Sequence, residues 1–242
     1  MITLEEFIEK FKEIQNMGWV KTHRKGTTGI GKTLEDLLGI RENNIQGPDF
    51  GKYELKSKRK NANSMLTLIT KSPDTPDKAN TQLRLKFGYS SNAYNNNEKV
   101  LHTTLTATKF TQISNTGHSL KVVCDESKIS IVSENNTIEA SWNIDTLKDV
   151  MTKKLGDQFV FVRAESKGTG EDEEFLFTEA YLLDGFNSDA IINLVKTGDI
   201  LVDLRIGQYH SGKNKGKTHD HGTGFRIFEK SYHLIFNMKK IA

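Results

Sequence analysis

Hydrophobic residues recur at helical spacing near the start of the chain, where Leu4, Phe7, Ile8, Phe11 and Ile14 form one stripe. Thr3 and Glu6 stand three apart as a capping box ahead of it, and Gly18 is placed to end it. Thr33 is placed to cap a second, short helix that turns Leu34, Leu37 and Leu38 inward, ends at Gly39 and carries Glu35 on a different face. Strands are expected over 52–58 and 64–71, paired as a hairpin through the polar link Arg59 to Asn63. The Asn-rich tract from Ser90 to Asn97 reads as an exposed loop. Beyond about residue 118 strand patterning dominates, at 120–124, 128–132, 137–142 and 158–164, with amphipathic helices over 146–155 and 188–196, the latter stopped by Gly198. In a last strand over 200–206, Val202, Leu204 and Ile206 share one face while Asp203 and Arg205 share the other. No internal repeat is visible, and the pattern as a whole is mixed α/β.

Composition narrows the class. The chain has 242 residues, 36% hydrophobic and 27% charged, with three prolines, which is the profile of a folded domain or two small lobes rather than a disordered protein. A single cysteine excludes an intrachain disulfide framework and a zinc finger of the Cys-pair kind, and points to a reducing compartment. No apolar run approaches the ~20 residues of a membrane span and the N-terminus lacks a signal-peptide layout, so a cytoplasmic protein is expected. The net charge of +3 does not by itself mark a nucleic-acid binder. The cations are clustered, however. Acid-free stretches carry Lys21, His23, Arg24, Lys25 and Lys32, then Lys56, Lys58, Arg59 and Lys60, then Arg205, Lys213, Lys215 and Lys217. Each alone is compatible with a solvated loop; three beside candidate chemistry point toward a DNA-facing surface.

Three motifs carry that chemistry. Within Gly47-Pro-Asp-Phe-Gly-Lys-Tyr-Glu-Leu-Lys56, a strand puts Glu54 and Lys56 on one face with Leu55 in the core, and Asp49, leaving a turn at Gly47-Pro48, can swing back toward them. Two carboxylates and an ammonium gathered this way suit a divalent cation and a phosphate, although a triplet of such common residues also arises by chance in a solvated charged strand. Gly26-Thr-Thr-Gly-Ile-Gly-Lys32-Thr33 matches the pattern of a nucleotide-binding P-loop, but the residues leading into it are too charged for a buried parallel strand. A basic glycine-rich loop whose N–H groups approach DNA phosphate is the preferred reading, with a P-loop NTPase kept as an alternative. Finally, Tyr209 to Arg226 joins a flexible basic arm to His219 and His221, which point the same way in a strand. These two histidines fit a metal site lacking its third ligand, a structural pair, or base recognition, for which Arg, Asp and His supply donors and acceptors matched to G·C pairs in the major groove.

These residues resemble the MvaI/BcnI family of type II restriction endonucleases, whose core is related to the mismatch-repair nickase MutH. The resemblance is carried by Lys25 to Leu38, Pro48-Asp49 with Glu54-Leu55-Lys56, Leu66 to Pro73, Ala79 to Arg84, Ala164 to Lys167 and, above all, Gly198 to Ile227. It implies a mixed α+β fold with a restriction-endonuclease-like, MutH-like core and a strand-rich DNA-recognition lobe, expected here as a mainly catalytic part over 1–117 and a mainly target-reading part over 118–242. It implies Asp49, Glu54 and Lys56 as catalytic residues, with Glu35 as the helix carboxylate near them. Mg²⁺ is the implied cofactor, held by Asp49, Glu54 and the Leu55 carbonyl. Asp203, Arg205, His219, His221 and Arg226 match the base-reading segment, and Tyr209, Lys213, Lys215, Lys217, Lys25 and Lys32 are the further candidate DNA contacts. The implied substrate is double-stranded DNA with a C·G-rich target of the CC-N-GG kind, cut one strand at a time by a monomer without an obligate protein partner. A MutH-like strand-specific nickase is the variant reading.

Overall fold

The computed structural model describes residues 2–40, 49–60, 65–90, 98–155 and 158–242. The turn expected at Gly47-Pro48, the Asn-rich tract after Ser90 and most of the link expected after Arg59 lie outside them. In chain order the helices are α1 (Leu4–Asn16), α2 (Gly29–Leu38), α3 (Ala79–Phe87), α4 (Ile144–Leu155) and α5 (Ile191–Thr197). The strands are β1 (Val20–Lys21), β2 (Glu54–Arg59), β3 (Leu66–Thr70), β4 (Tyr89–Ser90), β5 (Lys99–Leu105), β6 (Thr111–Gln112), β7 (Ser119–Cys124), β8 (Lys128–Ser133), β9 (Ile138–Asn143), β10 (Gln158–Lys167), β11 (Glu174–Asp184), β12 (Ile200–Gln208), β13 (Thr218–Asp220), β14 (Gly224–Ile227) and β15 (Asn237–Lys240). No described helix is long and apolar enough to cross a membrane.

The chain forms two compact units that alternate along the sequence, in place of the expected division at 117/118. One comprises 1–64, 155–186 and 236–242; the other comprises 65–154 and 187–235. The interleaving follows from strand pairing, because β2 takes β10 as its parallel neighbour across about a hundred residues of chain.

The first unit is built on a five-stranded sheet of order β1-β11-β10-β2, with β15 added to β11. β10 lies between β2 and β11 and is apolar on both faces, with Phe159, Val160, Phe161 and Val162 all buried. That is the signature of an inner strand covered from both sides. Val160 and Val162 face a core shared with Phe7, Phe11 and Ile14 of α1 and Ile30, Leu34 and Leu38 of α2. Each large side chain in it stabilises the unit by about 1.5–3 kcal/mol. α1 has the expected capping box, Glu6 N donating to Thr3 Oγ1 and Thr3 N to Glu6 Oε2.

α2 begins at Gly29, five residues earlier than expected. Thr33 is therefore not its cap: the buried hydroxyl donates to Gly29 O and accepts from His23 N, which ties the preceding loop to the helix. Gly39 ends the helix in the left-handed conformation at φ 73°.

The second unit has a six-stranded sheet of order β3-β14-β12-β5-β4, with β13 on β12, and a four-stranded meander β6-β7-β8-β9. The expected hairpin between residues 52–58 and 64–71 does not form. β3 pairs with β14 in this unit while β2 belongs to the other, since each strand finds a better apolar neighbour far away in sequence. α3 packs against β5, β9, β12 and β13. The helix expected over 188–196 is a 3₁₀ turn, Ser188–Ala190, running into α5 and ending at left-handed Gly198. Along β12, Val202, Leu204 and Ile206 are buried in the core, and Asp203 and Arg205 occupy the opposite face.

Candidate functional site

Asp49, Glu54 and Lys56 are brought together at the free edge of the first unit's sheet. A tight turn does this: Phe50 and Tyr53 exchange both backbone hydrogen bonds, Gly51 takes φ 53°, and Phe50 is anchored by stacking on Phe7 at 5.2 Å. Asp49 is thereby returned to β2, where its Oδ2 accepts from Leu55 N at 2.7 Å. Glu54 and Lys56 project from one face, Nζ to Oε1 2.5 Å, while Leu55 is buried. β2 is an edge strand, and the Leu55 N–H pointing at Asp49 points away from β10. A strand residue's N–H and C=O share an edge, so the Leu55 carbonyl also opens beside Asp49. Burial pushes the Asp49 carboxyl up, the Leu55 N–H opposes that, Glu54 adds to it and Lys56 opposes it. Two crowded carboxylates with a carbonyl between them form an all-oxygen donor set that fits a hard divalent cation.

Glu35 is placed differently. A methyl group built on Gly31 would lie 3.7 Å from Ser57 Oγ and 3.9 Å from Glu35 Oε1, so the carboxylate and Ser57, which shares the Leu55 side of the strand, both approach this glycine of α2. No group of three His, Cys, Asp or Glu side chains suited to a metal occurs among the described residues, so Glu35 is not gathered with Asp49 and Glu54 into one.

The glycine-rich loop lacks a P-loop's surroundings. The strand before it, β1, is two residues long and antiparallel to β11. Lys32 lies inside α2 and bonds Asp36 at 2.7 Å, which also meets His23 Nδ1 at 2.9 Å. Lys25 pairs with Glu171 at 3.2 Å at the surface. The loop is fastened by Arg59, from the end of β2: its Nη1 and Nη2 donate to Thr27 O and Gly26 O while Nε and Nη2 grip the Glu173 carboxylate at 2.6 and 2.7 Å.

In the second unit, one face of the six-stranded sheet gathers all five candidate base readers. The registers Leu201↔Arg226, Asp203↔Thr104, Arg205↔His102 and Gly207↔His219 put these side chains on the side opposite the core. Asp203 is fully buried: Oδ1 accepts from Thr104 Oγ1 at 2.7 Å, and Oδ2 lies 2.7 Å from Arg205 Nε and 2.9 Å from Arg226 Nε. Its carboxylate lies between two guanidinium groups and holds them side by side. Arg205 and Arg226 are 38% and 23% exposed. His219 stacks on Tyr209 at 4.2 Å, and its ring meets His221 at 4.0 Å. Asp220 turns to the other side, where it caps the turn through Gly222 N and Thr223 N and accepts from Asn80. The basic segment is a closed loop and not a free arm: Tyr209 N donates to Lys217 O and Gly216 N to Tyr209 O, with Lys213 in a 3₁₀ turn and Lys215 at its end.

Sequence reasoning missed four groups. His102 and Thr104 come from β5, which no motif singled out, and only the register with β12 reveals them. Arg84, 5% exposed, knits α3 to the neck of the basic loop through Gln208 Oε1 at 2.8 Å, Thr218 Oγ1 and Lys99 O. Arg59 stood in a basic run read as part of a DNA-facing surface; its partner Glu173 lies more than a hundred residues away.

One unit thus gathers two carboxylates and a lysine at a strand edge, and the other sets arginines and histidines on one sheet face. The MvaI/BcnI restriction endonuclease family model matches residues 8–236. The chain belongs to that family and is a type II restriction enzyme, a site-specific deoxyribonuclease of a class that uses divalent metal. Among solved structures, it is similar to restriction endonuclease MvaI in a complex with cognate DNA substrate, at 36% identity and TM-score 0.83, over 99% of this chain and 98% of that one. It is also similar to MvaI in the absence of DNA, at 36% identity and TM-score 0.61, over the whole of both chains. No curated protein matches.

Proposed function

We propose that this enzyme hydrolyses a DNA phosphodiester at a C·G-rich target of the CC-N-GG kind, with Mg²⁺ as cofactor, and acts as a monomer that cuts one strand per encounter. The observation that carries the reading is the return of Asp49 onto Leu55 N, which gathers both carboxylates, the Leu55 carbonyl and Lys56 at one strand edge. Asp49, Glu54 and the Leu55 carbonyl would hold Mg²⁺, which supplies Lewis-acid polarisation of the scissile phosphate and acidifies a water. Lys56 exchanges its Glu54 partner for the phosphate and the attacking water, orients that water, and offsets the charge developing on the phosphoryl oxygens. Glu35 supports this arrangement from the helix side of β2.

The unit with β2 cuts and the unit with β12 reads. Arg205 and Arg226, fixed by Asp203, present forks to guanine O6 and N7; His219 and His221 contact the paired bases, and Tyr209 holds His219 flat. Lys213, Lys215 and Lys217 contact phosphate, as do Lys25 and Lys32 from the glycine-rich loop. A P-loop NTPase finds no support in an antiparallel two-residue β1 and an Asp36-bound Lys32.

Digestion of a fully sequenced phage DNA with Mg²⁺, followed by end mapping, tests the reading. Fragments ending within one CC-N-GG type, broken on both strands, are expected. Random ends, or nicks confined to one strand, contradict it, the latter favouring a MutH-like nickase.

A further inference from the structure

Among the described residues, His102 Nε2 is buried and has no hydrogen-bond partner. Buried polar atoms without partners are rare in folded proteins. His102 is the cross-strand neighbour of Arg205, and its ring meets the His221 ring edge to face at 6.3 Å and 88°. The His221 ring lies over Gly207. A Cβ there would stand 2.9 Å from His221 Nε2 and 3.1 Å from its Cδ2. Gly207 does not have a positive φ, so its backbone accepts any residue; it is the ring that excludes a side chain. The His221 backbone is fixed as well, its N donating to Arg205 O at 2.7 Å.

We infer that Gly207 and His102 form the seat of the His221 ring and fix its tilt, and with it which ring nitrogen meets the base, which makes His102 a positioning residue for base discrimination. The inference rests on the proposed role of His221 as a base reader. A neutral imidazole offers one donor and one acceptor, and a base pair is read correctly only by the right nitrogen. Burial, followed by the nearby Arg205 and His221, holds His102 below the ordinary histidine range. Burial, followed by His219, does the same for His221. In the free protein both shifts favour the neutral ring, whose tautomer is set by whatever each nitrogen faces. Gly207 admits the ring; His102 limits how far it can turn.

The test measures kcat/KM on the mapped target and on sites with each outer base pair replaced, for wild type, His221→Ala, His102→Ala, His102→Gln and Gly207→Ala. ¹⁵N imidazole spectra of the DNA complex, made in Ca²⁺ to block cutting, report the His221 tautomer. His102→Ala and Gly207→Ala are expected to lower discrimination roughly tenfold or more, at the same pair that His221→Ala affects. His102→Gln, which keeps a donor and an acceptor, is expected to restore part of it. His221 is expected as one tautomer in wild type and as a mixture in His102→Ala. Should Gly207→Ala fail to fold, the His102 variants and the spectra decide. If His221→Ala loses discrimination while neither His102 variant alters discrimination or tautomer, the seat is wrong and the base-reading role stands. If His221→Ala discriminates normally, that role is itself wrong and the inference falls with it.

Discussion

At the residue scale, the face proposed to read bases carries two histidines whose neutral form is favoured. His102 and His221 are each held below the ordinary range, first by burial and then by neighbouring positive charge. A histidine depressed in the folded state stabilises the fold fully above its unfolded pKa of ~6.5, and loses that contribution as the pH falls through the folded value. Unfolding midpoints measured between pH 8 and 5 are thus expected to drop more steeply below pH ~6.5 in wild type than in His102→Gln. Parallel curves would show that His102 does not titrate with folding. Asp203 shows what a buried charge requires. Its desolvation is offset by hydrogen bonds from Arg205 and the Thr104 hydroxyl and by the charge of Arg226 at 2.9 Å, and removing the carboxylate would deprive all three of their shared partner.

At the scale of elements, Arg59 joins the strand that carries Glu54 and Lys56 to the loop that leads into α2. Its guanidinium holds two loop carbonyls, grips Glu173 and lies over the Phe175 ring at 5.1 Å. Those carbonyls are thereby turned toward Arg59. Arg59→Ala should weaken DNA binding about tenfold or more and lower the thermal midpoint by several degrees, with Arg59→Lys intermediate because an ammonium lacks the fork. Equal affinity and stability in all three proteins would show that the latch is inert.

How much of this was legible depended on sequence distance. The capping box of α1, the left-handed ends of α2 and α5, and the two faces of β12 follow from local spacing and were readable. So was the gathering of Asp49 with Glu54 and Lys56, because one short turn and one strand separate them. What was not legible is long-range. The parallel pairing of β2 with β10, the register that lays His102 beside Arg205, and the Glu173 partner of Arg59 are each fixed by burial across a hundred residues or so, and no local pattern encodes them. The α2 start was misplaced because Thr33, a good capping residue by type, is used inside the helix to bond Gly29 O and His23 N.

At the scale of the whole molecule, the proposal assigns separable work to the cations and the base readers. The loop lysines are exposed and contact phosphate in the proposed complex, so they contribute affinity without sequence information. Replacing Lys213, Lys215 and Lys217 together with Ala is expected to weaken target and non-target binding alike. It should also flatten the dependence of log K on log salt by up to about 3, from roughly 0.9 per phosphate contact. An unchanged salt slope would place these lysines away from the DNA.

The central claim is that Asp49, Glu54 and Lys56 cut what the β12 face selects. The most direct measurement uses Lys56→Ala on a duplex carrying the mapped target, with cleavage and binding followed in the same preparation. Cleavage with Mg²⁺ is predicted to fall by a factor of about 100 or more. The target should still be protected in a footprint and preferred over a scrambled duplex as strongly as by wild type. Cleavage at the wild-type rate would contradict the account.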